Sequence, residues 1–479
     1  MQRRKVLMAA VTALLPVSLA IAGSASLADA ATDSPITGEV LPAASPGTQV
    51  WVRLFGPGGE NGGAASVAAS PNGKTAYVTG YFTAAGGTEE YATIAYSTVT
   101  GSQVWSKAYT GPGAIDGIPN RAVSVAVSPN GETVYVTGES GSATYGDWTS
   151  YATVAYSAAT GTQLWAERYG VPGDYASAPV TVAVSPNGKM VYVTGDSDNS
   201  STAGGGADYA TVAYNAATGA QVWVQRFNGG LTYGGAASMA VNPDGSTVYV
   251  TGNTGTGSGT AYATIAYNAV TGAQRWIKHY SGGEYGDGGA AVAVSPNGKT
   301  IIVTGSVDAG GTTEYATIAY SAVTGAQVWA SRYGTPGTDY ARAVAVSPDG
   351  KTVLVTGMIS GAAGTDGAQE YATIAYNAAT GAQVWVRAYD GDEFGGNGDQ
   401  AYAVAVSPDG KTVYVTGTTF AAEHATTIAY STAAGTPLWV QSHNDGGTVS
   451  VAVSPVTGTV LVTGFGNNYS TYLTIAYQG

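Results

Sequence analysis

The stretch YATIAYNAATGAQVW (Tyr371–Trp385) decides the fold, because the chain repeats it. YATIAYSAVTGAQVW runs from Tyr315 to Trp329 and YATVAYNAATGAQVW from Tyr209 to Trp223. Each copy is a short run rich in Tyr, Thr and Ile or Val, then a link closed by Gly, then a second run that carries Trp. That pattern reads as strand, tight turn, strand.

Two further segments recur between these copies. One is S-V-A-V-S, at 66–70, 124–128, 181–185, 238–242, 291–295, 343–347, 403–407 and 450–454. The other is T-V-Y-V-T-G, ending at Gly80, Gly138, Gly195, Gly252, Gly305, Gly357, Gly417 and Gly464. S-P-N-G-K-T or S-P-D-G-K-T joins them as a hairpin turn in which Gly can take positive φ. The Y-A-T-I-A-Y run ends at Tyr96, Tyr156, Tyr214, Tyr267, Tyr320, Tyr376, Tyr430 and Tyr477. The Q-V-W run carries Trp51, Trp105, Trp165, Trp223, Trp276, Trp329, Trp385 and Trp439. Four strands, here a to d, thus recur at a period of roughly 55 residues, the size of a propeller blade. The predicted fold is all-β: an eight-bladed β-propeller of four-stranded antiparallel blades over residues 49–479. The chain enters on a lone strand d around Trp51 and stops after a strand c at Tyr477. The N-terminal strand therefore completes the last blade, closing the ring and removing two sheet edges. A monomer is expected.

Composition agrees. The 479 residues include 70 Gly and 33 Tyr but no Cys, which leaves no disulfide and no thiolate metal ligand. Residues 1–30 read as a signal peptide: Arg3, Arg4 and Lys5, an apolar run from Val6 to Ala22, and the cleavage pattern Ala28-Asp29-Ala30. The run RRKVL also fits the core of a twin-arginine signal, so both export routes remain open. Residues 31–48, rich in Pro, Ala, Ser and Thr, read as a linker. Removing residues 1–30 takes away three positive charges and one negative, moving the net charge from −13 to about −15. Such a surface repels nucleic acid. No later apolar run is long enough to span a membrane. A secreted protein is expected. Its sequons at Asn199 and Asn468 are given no role.

The segment AYNAATGAQVW (Ala375–Trp385) resembles the tryptophan-docking repeat of the quinoprotein, or pyrroloquinoline quinone (PQQ), propellers. That pattern has Ala first, Asp third, Thr-Gly sixth and seventh, and Trp eleventh. Most copies keep Ala, Thr, Gly and Trp, whereas Ser97, Asn215, Ser321 and Asn377 replace the Asp and Ala434 stands for Thr. The segments around RYGTPGTDYA resemble the SBBP repeat of secreted bacterial propellers, and the consensus element S-P-N-G-K-T-V-Y-V-T-G resembles the YVTN repeat. The quinoprotein resemblance implies that each Trp docks one blade on the next and holds no cofactor. It also implies a quinone with Ca²⁺ at the channel mouth as an alternative function. The adjacent Cys pair and long loops of many such dehydrogenases are absent, so bound PQQ is not expected.

Strand order places the a–b and c–d turns on one rim and the b–c and d–a links on the other. The first set hardly varies. The second varies in length and content, and varied loops are where function is grafted. Most acidic residues fall there, with Arg121 and Arg342 as the basic ones. Aromatic residues beside carboxylates make Trp148, Tyr175, Tyr285, Tyr340 and Phe394 candidate ligand contacts. Asp287, Asp339 and Asp399 share one repeat position before strand a and form a candidate Ca²⁺ set. His424 and His443, on adjacent strands and flanked by Glu423 and Asp445, form a second candidate metal site.

No nucleophile elbow, zincin motif or phosphate loop occurs. The reading is a non-catalytic binding or scaffold propeller for an extracellular glycan, peptide or protein, or a cation. The alternatives are the PQQ/Ca²⁺ oxidoreductase and another propeller enzyme acting at the channel mouth.

Overall fold

A computed structural model describes residues 45–56, 61–112, 119–142, 148–170, 177–199, 206–228, 234–256, 259–283, 286–360, 369–391, 398–419, 424–444, 446–466 and 469–479. Eight four-stranded antiparallel sheets are present. Blades 1 to 7 each run a-b-c-d in chain order; blade 6, for instance, comprises Tyr340–Val346, Thr352–Ser360, Gln369–Asn377 and Gln383–Tyr389. Blade 8 takes strands a to c from Gly446–Val453, Val460–Gly466 and Thr471–Tyr477, and its strand d is Gln49–Phe55. That strand pairs antiparallel with the C-terminal one, Trp51 opposite Ala476 and Phe55 opposite Tyr472. The eight a strands contact one another in a closed circle, which makes them the wall of the central channel.

Each sheet is buried on both faces by its neighbours, which is why strands b and c read as near-continuous apolar runs. Where threonine interrupts them, the hydroxyls pair across b and c: Thr79 with Thr93 at 3.0 Å, Thr304 with Thr317 at 2.9 Å and Thr463 with Thr474 at 3.1 Å are examples. Such bonds remove the cost of burying a hydroxyl.

The Trp residues sit at the joints, as the docking resemblance implies. The indole N–H of Trp223 donates to the Ala269 carbonyl of blade 4 at 3.1 Å, and that of Trp105 to Ala158 of blade 2 at 2.9 Å. Trp51, Trp165, Trp276, Trp329 and Trp385 do the same to Thr98, Ala216, Ala322, Ala378 and Thr432. Each ring is also tilted against the last Tyr of the next strand c, 6.3 Å between centroids for Trp223 and Tyr267. The Gly of the next c–d turn lies over the indole. Gly272 has φ of 73°, and a Cβ there would stand 2.8 Å from the Trp223 ring. Only Gly tolerates both constraints.

The eighth joint is split between the chain ends. Gly47, with φ of 82°, covers Trp439, and Tyr477 packs against the same ring at 5.6 Å. Gly47 N–H donates to the Gln478 carbonyl and Gln478 N–H to the Thr48 carbonyl. Residues 45–48, the end of the expected linker, are thus part of the closing turn; residues 31–44 and the expected signal segment lie outside the described residues. Trp439 is only partly buried, whereas the other seven are 6–8% exposed.

Trp223→Ala should lower stability by about 3–5 kcal/mol, as truncation of a buried aromatic does. Trp439→Ala should cost less, because less indole surface is lost there. Urea unfolding of the two variants checks both; an equal loss would contradict the ranking.

Candidate functional site

The varied rim is where strands b run into c and d into the next a. The channel mouth on that side is edged by the first residues of the a strands. Each a strand carries a bulge: in blade 6 it falls between Ala341 and Ala343, and in blade 7 between Ala401 and Ala403. The Gly that closes T-V-Y-V-T-G permits it. A Cβ on Gly357 would collide with the Tyr340 carbonyl oxygen. The bulged residues form a column around the mouth: Ala65, Val123, Val180, Ala237, Ala290, Arg342, Tyr402 and Val449. All except Ala237 are partly exposed. Six are Ala or Val, so the bulge column is apolar except where blades 6 and 7 meet.

At that meeting point the Arg342 guanidinium lies over the Tyr402 ring, 5.1 Å from its centroid. Its Nη2 donates to Gln400 Oε1 at 2.9 Å. The same oxygen accepts from the Tyr402 hydroxyl at 3.1 Å, and Gln400 Nε2 donates to Gln369 Oε1 at 3.4 Å. Tyr340 heads the same a strand and is 41% exposed. The sequence reading singled out Tyr340 and counted Arg342 among the rim's basic residues. It missed Tyr402, Gln400 and Gln369; aligning the bulge column across the eight repeats is the signal that finds them.

Across the ring, blades 1 and 2 carry a different polar node. Arg121 forms a two-pronged ion pair with Glu89, at 2.7 and 2.5 Å, and lies 4.6 Å from the Tyr81 ring centroid. The Glu89 bond and charge hold the Arg121 proton more tightly than usual. Burial raises the Glu139 carboxyl beside them, a shift that Arg121 opposes. Asp208 pairs with Arg226 at 3.2 Å and Glu314 with Arg332 at 3.5 Å. Several of the acids that fall on the varied rim are therefore neutralised within or between blades.

The three Asp residues have a shared role of another kind. Asp339 is fully buried; it accepts from the Thr335 N–H at 2.5 Å, the Thr335 hydroxyl at 2.8 Å and the Ser360 N–H at 2.9 Å. Asp287 likewise accepts from Ser281, Gly282 and the Asp308 N–H, and Asp399 from the Gly391 N–H. Asn120 takes the same place in blade 2, bonding Ser140 and Gly111. Each ties the d–a link to its own blade, at blades 5 and 6 to the start of the b–c link as well. Among the described residues, no group of three His, Asp or Glu stands close enough to hold a metal.

The two His are not brought together either. Ala425, not His424, stands opposite His443, and His424 pairs with Thr419. Adjacent residues of a strand face opposite sides, so the imidazoles leave opposite faces of blade 7. The sequence reading matched their position along the rim and overlooked pleat parity. His443 occupies the site where other blades pair two aromatics, such as Tyr371 with Tyr389 at 5.8 Å. Tyr175, Tyr285, Phe394, Glu423 and Asp445 lie outside the described residues. Trp148 opens strand c of blade 2, opposite Ser142.

Asp196, the residue after Gly195 in blade 3, sits against Gly235 of blade 4. Burial pushes its carboxyl up to about 7, partly offset by the Ala236 N–H. Its Oδ1 is buried without a hydrogen-bond partner among the described residues.

Among comparisons with known proteins, a family profile described as outer membrane protein assembly factor BamB matches residues 130–317 and 207–371, together just over half of the chain. No curated protein gives a significant match. Similar solved structures include Sqt1 of Chaetomium thermophilum bound to the N-terminus of a ribosomal protein, at 11% identity, TM-score 0.59, covering 89% of this chain and 98% of that one. Sqt1 alone gives 11% identity, TM-score 0.57 and coverage of 88% and 97%. Kuenenia stuttgartiensis hydrazine synthase gives 16% identity and TM-score 0.48, covering 73% and 94%. At these identities the likeness is one of fold.

Replacing Asp339 by Ala should cost about 1–3 kcal/mol, because buried amides lose their acceptor. Chelator should leave the melting temperature unchanged; a Ca²⁺-dependent melt would return the three Asp residues to candidacy as ligands. For Asp196, a folded-state pKa raised above the unfolded value means that stability falls as pH rises from about 4 to about 7. Asp196→Asn should thus raise the melting temperature at pH 8, and the gain should vanish near pH 4.

Proposed function

The chain belongs to the PQQ-like β-propeller repeat family, and from that premise we propose a non-catalytic binding or scaffold propeller, exported from the cell, whose varied rim takes a ligand. The observation that carries this reading is the contrast between the two rims. On the plain rim the same contacts recur from blade to blade. Ser70 Oγ accepts from the Thr75 N–H and the Asn72 carboxamide accepts from Lys74 N–H, as Ser295 and Asn297 do for Thr300 and Lys299. Repeated contacts of that kind serve packing. On the varied rim the blades differ in charge, bulge residue and polar partner, and that individuality is what a ligand would read.

The oxidoreductase reading requires a tricarboxylate quinone and a Ca²⁺ ion at the mouth. The described residues fit that group poorly. The bulge column at the mouth is chiefly Ala and Val, and the carboxylates expected to hold the ion are engaged by amides and hydroxyls of their own blades. A shared repeat carries no activity with it, since a fold alone fixes no chemistry.

The test is capture from extracellular glycans and proteins with the intact protein and with variants whose 139–150 or 390–400 loops are replaced. A captured partner lost on loop replacement supports the reading. A partner that binds both forms alike would place function on the other rim. The purified protein should carry no quinone absorbance and no dye-linked dehydrogenase activity; one equivalent of bound quinone would overturn the assignment.

A further inference from the structure

Comparing equivalent positions of two blade junctions isolates one exchange. Glu89 opens strand c of blade 1 and Arg121 opens strand a of blade 2; their counterparts between blades 6 and 7 are Gln369 and Gln400. The ion pair of the first junction is an uncharged carboxamide pair in the second, 3.4 Å apart. At this same second junction an additional cation enters, because Arg342 fills a bulge position that is Ala, Val or Tyr in the other seven blades. The second junction thus lacks a carboxylate at the Glu89 position and carries the Arg342 cation. Arg342 makes no ion pair among the described residues, and its Nε is buried without a hydrogen-bond partner.

A buried guanidinium donor left unmatched lowers stability, and replacing it by an apolar group of similar length would not. Stacking on Tyr402 holds the planar group in place, so its forked donors are preorganised for a carboxylate. Gln400 is the neutral acceptor now in that place: its Oε1 accepts from Nη2, beside Nε, and a carboxylate displacing it would gain both donors. The released carboxamides of Gln400 and Gln369 each donate and accept, which matches sugar hydroxyls that do the same. Tyr340, exposed two residues before Arg342, offers a flat face for a pyranose ring.

We propose that the Arg342–Tyr402–Gln400–Gln369 node at the channel mouth binds a sugar bearing a single carboxylate, a terminal hexuronate. The proposal rests on the binding-propeller reading and names the ligand class for it. The protein's net charge of −13 works against polyanions, so one isolated carboxylate is favoured over a run of them.

The experiment is calorimetric titration of the purified protein with a glucuronate-terminated disaccharide, its methyl ester, and a tripeptide with a free C-terminus, each repeated with Arg342→Met. The acidic sugar should bind saturably. The ester should bind about ten- to a hundredfold more weakly, the usual worth of a charge-assisted bond. Arg342→Met should lose the preference for the acid while melting no lower than the parent. No saturable binding of the acidic sugar, equal binding by Arg342→Met, or a preference for the tripeptide would overturn the proposal. Arg342→Lys separates fork from charge: it should recover only a small part of the affinity, and full recovery would remove the two-donor geometry. Loop-dependent capture of a partner that ignores Arg342 would leave the binding-propeller reading standing while this assignment falls.

Discussion

Everything in this molecule depends on an indole wedged under a glycine. A strand-d Trp presents its ring edge and N–H to the next blade, and that blade answers with a carbonyl, a Tyr ring and a turn whose Gly has no side chain to interfere. The contact is apolar, directional and dependent on positive φ at once. Because ring, Tyr and Gly recur at every junction, the angle between neighbouring sheets is set by one repeated fit. Eight such fits make the circle, and the bulge beside each T-V-Y-V-T-G glycine shapes the inner wall. The rest of the chain is free to vary only where this arrangement does not reach.

That division explains what was readable beforehand. The architecture was legible because the joint residues, Trp, Gly and Tyr, recur at fixed spacing and leave their mark on every repeat. Even the closure was visible, since a lone strand around Trp51 and a missing one after Tyr477 complement each other. The boundary was less so. Pro46-Gly47 looks like linker until Trp439 is seen to need a Gly above it.

The candidate sites were harder, for reasons that differ between residues. Equal repeat position suggested that Asp287, Asp339 and Asp399 meet at the mouth, but position along a strand does not say whether a carboxylate looks inward or ties down its own loop. His424 and His443 were close along the rim and separated by pleat parity, a one-residue matter. Arg342 was visible as a rare basic residue on its rim. Its meaning depended on Tyr402 and on two Gln residues from different strands, and only three-dimensional neighbourhood joins them.

Sharing the last blade between both chain ends has a kinetic side. Six junctions link neighbouring stretches of the chain, whereas blade 8 waits for partners at opposite extremes: Gly47 over Trp439 on one side, and blade 1 against Ser450 and Tyr472 on the other. Loop-closure entropy makes that step the slowest to form. Until it does, the Gln49–Phe55 strand and the Thr471–Tyr477 strand each expose an open edge, and either can meet a second molecule instead of its own. The partly covered Trp439 marks the same seam in the finished ring, and a permuted chain with ends elsewhere would carry its seam along with them.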